Sequence, residues 1–274
     1  MSSQQFSVLM ATYEGDEPDD LSRAIQSVTD QTVLPDEIVV VADGPLNTEL
    51  EAILDDFEST YPDILTRTAL STNQGLGAAL NHGVETCSHE WIARMDSDDI
   101  AVNDRFERQL HHLDKNQEID VLGGYIGEFD QNPDDLNQIR EVPTTHDGIA
   151  SMGRFRCPMN HPSVMFRRSA VIEVGNYRPL RSMQDYELWM RMLSQGYTLE
   201  NLPTVLVKCH AGDDLYHRRG GISYAKTDYV VQRQLLRMGS ISLPRFVLNL
   251  SVRLPVRLLP ARLRALIYKR IVRD

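Results

Sequence analysis

Three carboxylates fall within four residues, Asp96, Asp98 and Asp99, where the partly apolar run Glu90-Trp-Ile-Ala-Arg-Met95 stops. Like charges set that close repel one another. A folded chain tolerates them best around a cation, usually a divalent metal that carries a phosphorylated substrate. In isolation the pattern reads more readily as a solvated acidic turn. Its company is what gives it weight. Thr12, Tyr13 and Glu14 follow the apolar residues 6–10, Asp43 follows Glu37-Ile-Val-Val-Val-Ala42, and Asn73-Gln-Gly75 follows residues 66–70. Each polar group sits where a short run that reads as a strand ends, and the run before Asp43 is continuous in β-branched residues.

Those runs alternate with helical spacing. Leu21, Ala24, Ile25 and Val28 fall at i, i+3, i+4 and i+7, with Asp19 or Asp20 available as a cap. Leu50, Ile53, Leu54 and Phe57 mark a second helix, and a third starts near Leu76. Continuous β-branched runs are expected of parallel strands covered on both faces. The order strand, helix, strand, helix, strand, helix, strand predicts a mostly parallel central sheet with right-handed crossovers and helices on both faces. The carboxyl ends of such strands share one edge, so the polar groups above should line one crevice.

The second half is less regular. Asn103 can cap a helix bearing Phe106, Leu110 and Leu113, and residues 120–125 read as a strand. Residues 160–167 read as a loop feeding a strand, Gly175-Asn-Tyr177 as a turn, 182–193 as a helix, and 202–207 as a further strand. Trp189 is expected in the core.

A chain of 274 residues that is 42% hydrophobic and 24% charged has the make-up of a folded soluble protein with a sizeable core. Three distant cysteines with no CxxC argue against a disulfide framework and a structural zinc site. The start Met1-Ser-Ser-Gln-Gln5 lacks a secretory signal, and no apolar run is long enough to span a bilayer, so a cytoplasmic catalytic part is expected. Residues 233–274 hold ten of the 28 bases and one of the 39 acids, a net +9, against −20 on residues 1–232. An acidic body with a basic tail implies two environments. A high-salt cytoplasm would also account for the acidic body. In the tail, Leu263, Leu266, Ile267 and Ile271 form an apolar stripe flanked by Arg262, Arg264, Lys269, Arg270 and Arg273. That pattern fits a helix on an anionic membrane surface, or one packed on the acidic body. We therefore expect two parts, residues 1–232 and a basic helical extension at 233–274. Peripheral contact with the inner face of the cell membrane would run through 240–274, and no nucleic-acid partner is expected.

Some nucleotide-binding classes are excluded. No GxGxxG follows the first strand, no GxxxxGK[ST] exists, and an EF-hand fails at Ala101, where glycine is required. A nucleotidyltransferase would need a glycine-rich basic loop where Thr12-Tyr-Glu-Gly-Asp-Glu17 is acidic.

Several short motifs occur in a telling order. They are Ala11-Thr-Tyr13, Val41-Ala-Asp-Gly44, Asn73-Gln-Gly-Leu-Gly77, Met95-Asp-Ser-Asp-Asp99, Asn160-His-Pro-Ser-Val-Met-Phe166, Gly175-Asn-Tyr177 and Gln184-Asp-Tyr-Glu-Leu-Trp189. Across roughly residues 6–225 the chain resembles the inverting GT-A glycosyltransferases of family 2, most of all the capsule, exopolysaccharide and amylovoran-type branch. The resemblance implies a nucleotide-diphospho-sugar transferase fold and transfer from a UDP- or dTDP-sugar to a glycan or lipid-linked acceptor.

It also implies roles. Asp98 would ligate Mn²⁺ or Mg²⁺, and Asp96 with Ser97 would orient the metal shell or the ribose. Asp43 would accept a hydrogen bond from the base, with Thr12, Tyr13 and Glu14 in the same pocket and Asn73 and Gly75 in its wall. Asp185 would be the general base, at a helix start where the dipole favours a carboxylate; an N-cap is the other reading of the same position. His161 and Gln184 would meet the acceptor. Arg218 and Arg219, backed by Gly220-Gly221, would close over the diphosphate, while His217 and His210 compete as the remaining metal ligand. The chain departs from the family in carrying Gln184 where Glu is usual and Cys209-His210 where Arg is common. A non-catalytic sugar-nucleotide-binding subunit of a polysaccharide-assembly complex is the alternative.

Overall fold

The protein is described here by a computed structural model covering residues 4–130, 132–210 and 220–259. The first half alternates as the spacing predicts: β1 (Phe6–Thr12), α1 (Pro18–Thr29), β2 (Glu37–Ala42), α2 (Thr48–Thr60), β3 (Leu65–Ala69), α3 (Leu76–Thr86) and β4 (Trp91–Asp96). After it come β5 (Ile100–Ala101), α4 (Arg105–Lys115), β6 (Val121–Phe129), β7 (Gln138–Arg140), α5 (His146–Gly153) and a 3₁₀ turn (His161–Ser163). The remaining elements are β8 (Met165–Arg167), α6 (Arg168–Glu173), α7 (Gln184–Ser194), β9 (Leu199–His210), α8 (Ile222–Arg237) and α9 (Leu243–Leu258).

Among the described residues nine strands join one sheet in the order β3, β2, β1, β4, β8, β6, β9, β5, with β7 paired to β6. β1 to β4 are mutually parallel, and β8 runs antiparallel to both β4 and β6. β6 and β9 are parallel, with register shifts around Tyr125.

Alternate residues of β1 and β2 feed two cores, as a doubly covered sheet requires. Val8, Met10, Ile38 and Val40 pack against α1, α2 and α4 through Ile25, Leu54 and Phe106. Leu9, Val39 and Val41 pack against α3, α6 and α7 through Leu80, Val171 and Trp189. Burying each such aliphatic side chain is worth roughly 1.5–3 kcal/mol, which fixes the strands and hence the loops at their ends. Trp189 is fully buried, as expected.

Two helix starts differ from expectation. α1 opens on Pro18 after Glu17 with no side-chain cap, since proline's missing N–H belongs among the unpaired donors of a first turn. α4 begins after Asp104, and Asn103 instead donates its amide to the carbonyl of Asp30 at the end of α1. That carbonyl has no partner within α1, so the amide is drawn there.

The basic extension is in part a pair of packed helices. α8 crosses residue 232 unbroken, and Val231 and Leu235 on α8 join Ile241 against Met183, Tyr186 and Met190 on and beside α7. Among the described residues no helix is long and apolar enough to cross a membrane.

Candidate active site

The strand ends do converge. β4 delivers Asp96, Asp98 and Asp99 so that one oxygen from each lies within 4.8 Å of the others. Three hard oxygen donors at that separation suit Mg²⁺ or Mn²⁺. Asp99 is almost fully buried, and burial, then the charge of Asp98, pushes its carboxyl up to about 7. The Cys209 thiol donates to it at 3.1 Å. The antiparallel pairing of Ile100 with Lys208 explains that contact, because it lays the end of β9 along the carboxylates.

Asp96 is held differently. The guanidinium of Arg94, 2% exposed, closes on it with both terminal nitrogens. Burial lowers the Arg94 pKa, and Tyr177, Asp99, Asp185 and Asp98 partly restore it. Arg94 therefore sits between the acidic cluster and the start of α7. With Asp96 committed to Arg94, the freer carboxylate is Asp98.

Asp16 belongs to this site and the sequence did not single it out. Its carboxylate accepts from Thr12 Oγ1 at 2.9 Å, Ser97 Oγ at 2.7 Å and the Tyr13 amide at 3.3 Å. Burial raises its pKa, those donors counter part of the rise, and Asp98 adds to it. Thr12 and Ser97, both buried, are thus spoken for by Asp16.

Beside this junction lies a cleft of about 570 Å³, lined by Tyr13, Glu14, Gly15, Asp43, Gly44, Pro45 and Ser71 to Asn73. Tyr13, Glu14, Asp43 and Asn73, four of the six residues expected in the base pocket and its wall, share it; Thr12 and Gly75 are not among its lining residues. Asp43 also holds its own wall together: its two oxygens accept the amides of Gln74 and Gly75 at 2.7 and 2.8 Å. The turn and pocket readings of this loop are therefore compatible. Gly44 has φ +91°, and a Cβ there would meet the Asn73 amide nitrogen at 2.6 Å. Gly75 is left-handed as well, at φ +93°. Both positions favour glycine.

α7 starts from a strained residue. Met183, its N-cap, has φ 61° and gives no side-chain cap. Asp185 is therefore not the cap. It lies in the first turn, half-buried, and its Oδ2 receives the Cys157 thiol at 3.4 Å. Gln184 is buried, with Oε1 unpartnered. His161 is 8% exposed, shares a hydrogen bond of 2.9 Å with the Tyr177 hydroxyl and packs edge-on to Trp189. Burial, then Arg94, holds its pKa well below the usual histidine range. His161 therefore serves the aromatic core through this bond. The exposed ring of His210 stacks on Phe129. His217, Arg218 and Arg219 lie outside the described residues, as does the apolar stripe from Leu263 to Ile271.

The model of "Glycosyl transferase family 2" matches residues 7–175. The chain belongs to this family. It is 39% identical, over 98% of its length and 97% of the relative's, to a UDP-Gal:alpha-D-GlcNAc-diphosphoundecaprenol beta-1,3-galactosyltransferase of Escherichia coli. It is 35% identical, over 97% of this chain and 98% of the other, to the amylovoran biosynthesis glycosyltransferase AmsE of Erwinia amylovora. Among solved structures, TarS 1-349 of S. aureus with UDP-GlcNAc superposes with a TM-score of 0.65 at 16% identity, over 93% of this chain and 72% of that one. The mannosyltransferase PcManGT of Pyrobaculum calidifontis, with GDP-Man and Mn²⁺, gives 0.65 at 16%, over 97% and 75%. These structures share the GT-A fold, and the family-2 glycosyltransferase described here is an enzyme of that class.

Proposed function

We propose that this glycosyltransferase moves a sugar from a UDP- or dTDP-sugar, with inversion and with Mn²⁺ or Mg²⁺ bound, to a glycan or lipid-linked acceptor in cell-surface polysaccharide or glycan synthesis. One observation carries the reading: the 12–16 loop lines the nucleoside-sized cleft with Tyr13 and Glu14 and is tied through Asp16 to Ser97 in the acidic cluster. A nucleotide base in the cleft would direct its diphosphate towards Asp98. The galactosyltransferase relative, named for a UDP-sugar and a diphosphoundecaprenol acceptor, supports the donor and acceptor classes.

In this reading Asp43 and Asn73 hold the base, and Glu14 meets it from the other wall. Thr12 and Ser97 set the loop through Asp16. A divalent cation, when bound, supplies positive charge to the departing diphosphate. Asp98 ligates it, Asp99 completes the carboxylate set, and Arg94 keeps Asp96 fixed beside them. Asp185 takes the proton from an acceptor hydroxyl as that oxygen bonds to the anomeric carbon and the carbon–phosphate oxygen bond breaks. The nucleoside diphosphate leaves, and a weak base suffices because the proton moves late. Arg218, Arg219 and His217 are assigned to the diphosphate lid and the metal's remaining position, with His210 the alternative. His161 and Gln184 shape the acceptor wall from within. The enzyme works from the cytoplasm, peripheral to the inner face of the cell membrane.

Calorimetry of UDP, dTDP and GDP into the protein, with Mn²⁺ and then with EDTA, tests this. Micromolar, metal-dependent binding of UDP or dTDP is expected. Binding of none of them would overturn the donor site, and binding without turnover on any acceptor would favour a scaffold subunit.

A further inference from the structure

The last two described helices carry a surface unlike the rest of the chain. Residues 220–259 contain six bases and a single acid, Asp228. Asp228 is fully buried and accepts from Arg253 at 2.7 Å and Arg257 at 3.1 Å. Among its described residues, then, the helix pair shows no carboxylate to solvent.

What it does show is apolar and cationic. Leu243, Val247, Val252 and Leu258 on α9 are 58–61% exposed, and Leu248 is 50% exposed. At 100° per residue these fall, with the exposed Pro244, Ser251 and Pro255, on one outward half of α9 that carries no charge. On α8, the exposed Ile222, Tyr229 and Val230 alternate with the exposed Lys226, Arg233 and Arg237. The inward half is firmly seated: Asn249 donates to the Arg154 carbonyl at 2.9 Å and to Gln232 at 2.8 Å, and Arg253 donates to the Phe155 carbonyl at 2.8 Å. The pair is already packed, with its apolar side turned out.

A contiguous exposed apolar face marks an interaction surface. Its occupant follows from charge. A second copy docking pair to pair would set bases against bases. Among the described residues, the acidic body of a second copy offers no matching apolar face: its large exposed hydrophobics sit on separate elements, Tyr13 and Leu34 in loops, Ile139 on β7 and Ile172 on α6, while Phe155 lies under Arg245 of α9 itself. An anionic bilayer satisfies both needs, with acyl chains for the apolar half and headgroup phosphates for the bases. The chain continues beyond α9 with five more bases in residues 260–274. The body, at −20, would be repelled by the same surface and held facing away from it.

We propose that the α8–α9 pair is the membrane-docking surface of this enzyme, with the outward half of α9 lying in the headgroup–acyl boundary of an anionic bilayer. This rests on the reading of the acceptor as lipid-linked, and it deepens it. α8 packs on α7, whose first turn carries Asp185, so docking here brings the base to a diphosphate held at the membrane surface.

The test is flotation of the full chain with phosphatidylcholine vesicles, with and without phosphatidylglycerol, comparing wild type with Val247→Asp/Val252→Asp. Wild type should float with the anionic vesicles, and the double variant should lose at least about tenfold of that binding at an unchanged thermal midpoint. Equal binding by the double variant would overturn this surface while leaving membrane attachment standing, with residues 260–274 as the remaining candidate. No flotation of wild type would overturn both. A concentration-dependent dimer in sedimentation that the double variant disperses, without vesicle binding, would replace the bilayer by a second copy.

Discussion

The Sγ of Cys157 lies 3.4 Å from Oδ2 of Asp185 and also 3.4 Å from the carbonyl of Met159. Burial, then the Asp185 charge, raises the thiol pKa, so it stays protonated and can donate. A carboxylate with no cap to make is thereby oriented by a third group, as catalytic bases commonly are. Cys157→Ala should cut kcat by roughly tenfold with the donor KM unchanged, and Cys157→Ser, which keeps a donor, should recover most of it. Equal kcat in all three proteins would show that the thiol only packs.

Asp185→Asn keeps the shape and removes the proton acceptor. Donor affinity by calorimetry should stay near wild type while kcat falls by two or more orders of magnitude, on the order of 10² or beyond. Wild-type turnover would remove Asp185 as the base.

Asp98→Ala should abolish the metal-dependent part of nucleotide binding. The same affinity in Mn²⁺ as wild type would move the ligand role to Asp99.

Asp99 gives the site a pH signature. Its folded pKa is raised, so the metal-free folded state holds a proton that the unfolded state releases from about 4 upwards. Stability from this group is complete below the unfolded value and is lost as pH rises towards 7. Metal and proton compete, so Mn²⁺ affinity should rise with pH up to about 7 and level off above. Thermal melts of wild type and Asp99→Asn, with and without Mn²⁺, check this. The variant should lose both the slope and much of the metal response.

Asp228 anchors the helix pair through two arginines whose side chains are 15% and 9% exposed. Replacing it with Ala takes the shared carboxylate away from two nearly buried cations, and Arg253 keeps its bond to the Phe155 carbonyl. The cost should be about 2–3 kcal/mol, discounted from fully buried cases because the arginines reach solvent. Urea denaturation measures it, and a loss below about 0.5 kcal/mol would mean the pair is held by its apolar contacts and the hydrogen bonds of Asn249 and Arg253 to the Arg154 and Phe155 carbonyls.

The first half of the fold was legible because short strand-like runs, that of β2 continuous in β-branched residues, alternate with helical spacing and are each stopped by a polar residue. Thr12, Asp43, Asn73 and Asp96 could be placed on one edge for that reason alone. β8 is legible as the strand fed by the 160–167 loop, but its antiparallel place between β4 and β6 and the irregular pairing of β6 with β9 left no such mark: β8 has three residues, and the register slips at Tyr125. Asp16 was hidden among Glu14, Glu17, Asp19 and Asp20, where composition cannot say which acid turns inward. Cys157 and Cys209 touch carboxylates 28 and 110 residues away, and no local periodicity reports on such a contact. His161 was visible as a residue of interest, but its partner Tyr177 depends on tertiary packing.

The 110-residue separation of Asp99 and Cys209 also bears on how the enzyme comes to exist. Closing so long a loop is slow compared with forming the local βα units, so the acidic cluster should acquire its last wall late in folding. During synthesis, a nascent chain that stops short of β9 would carry its donor cleft and its three carboxylates without the strand that closes over Asp99. Cation affinity would then report whether the sheet has been completed, and partly made chains would stay catalytically silent until β9 is in place.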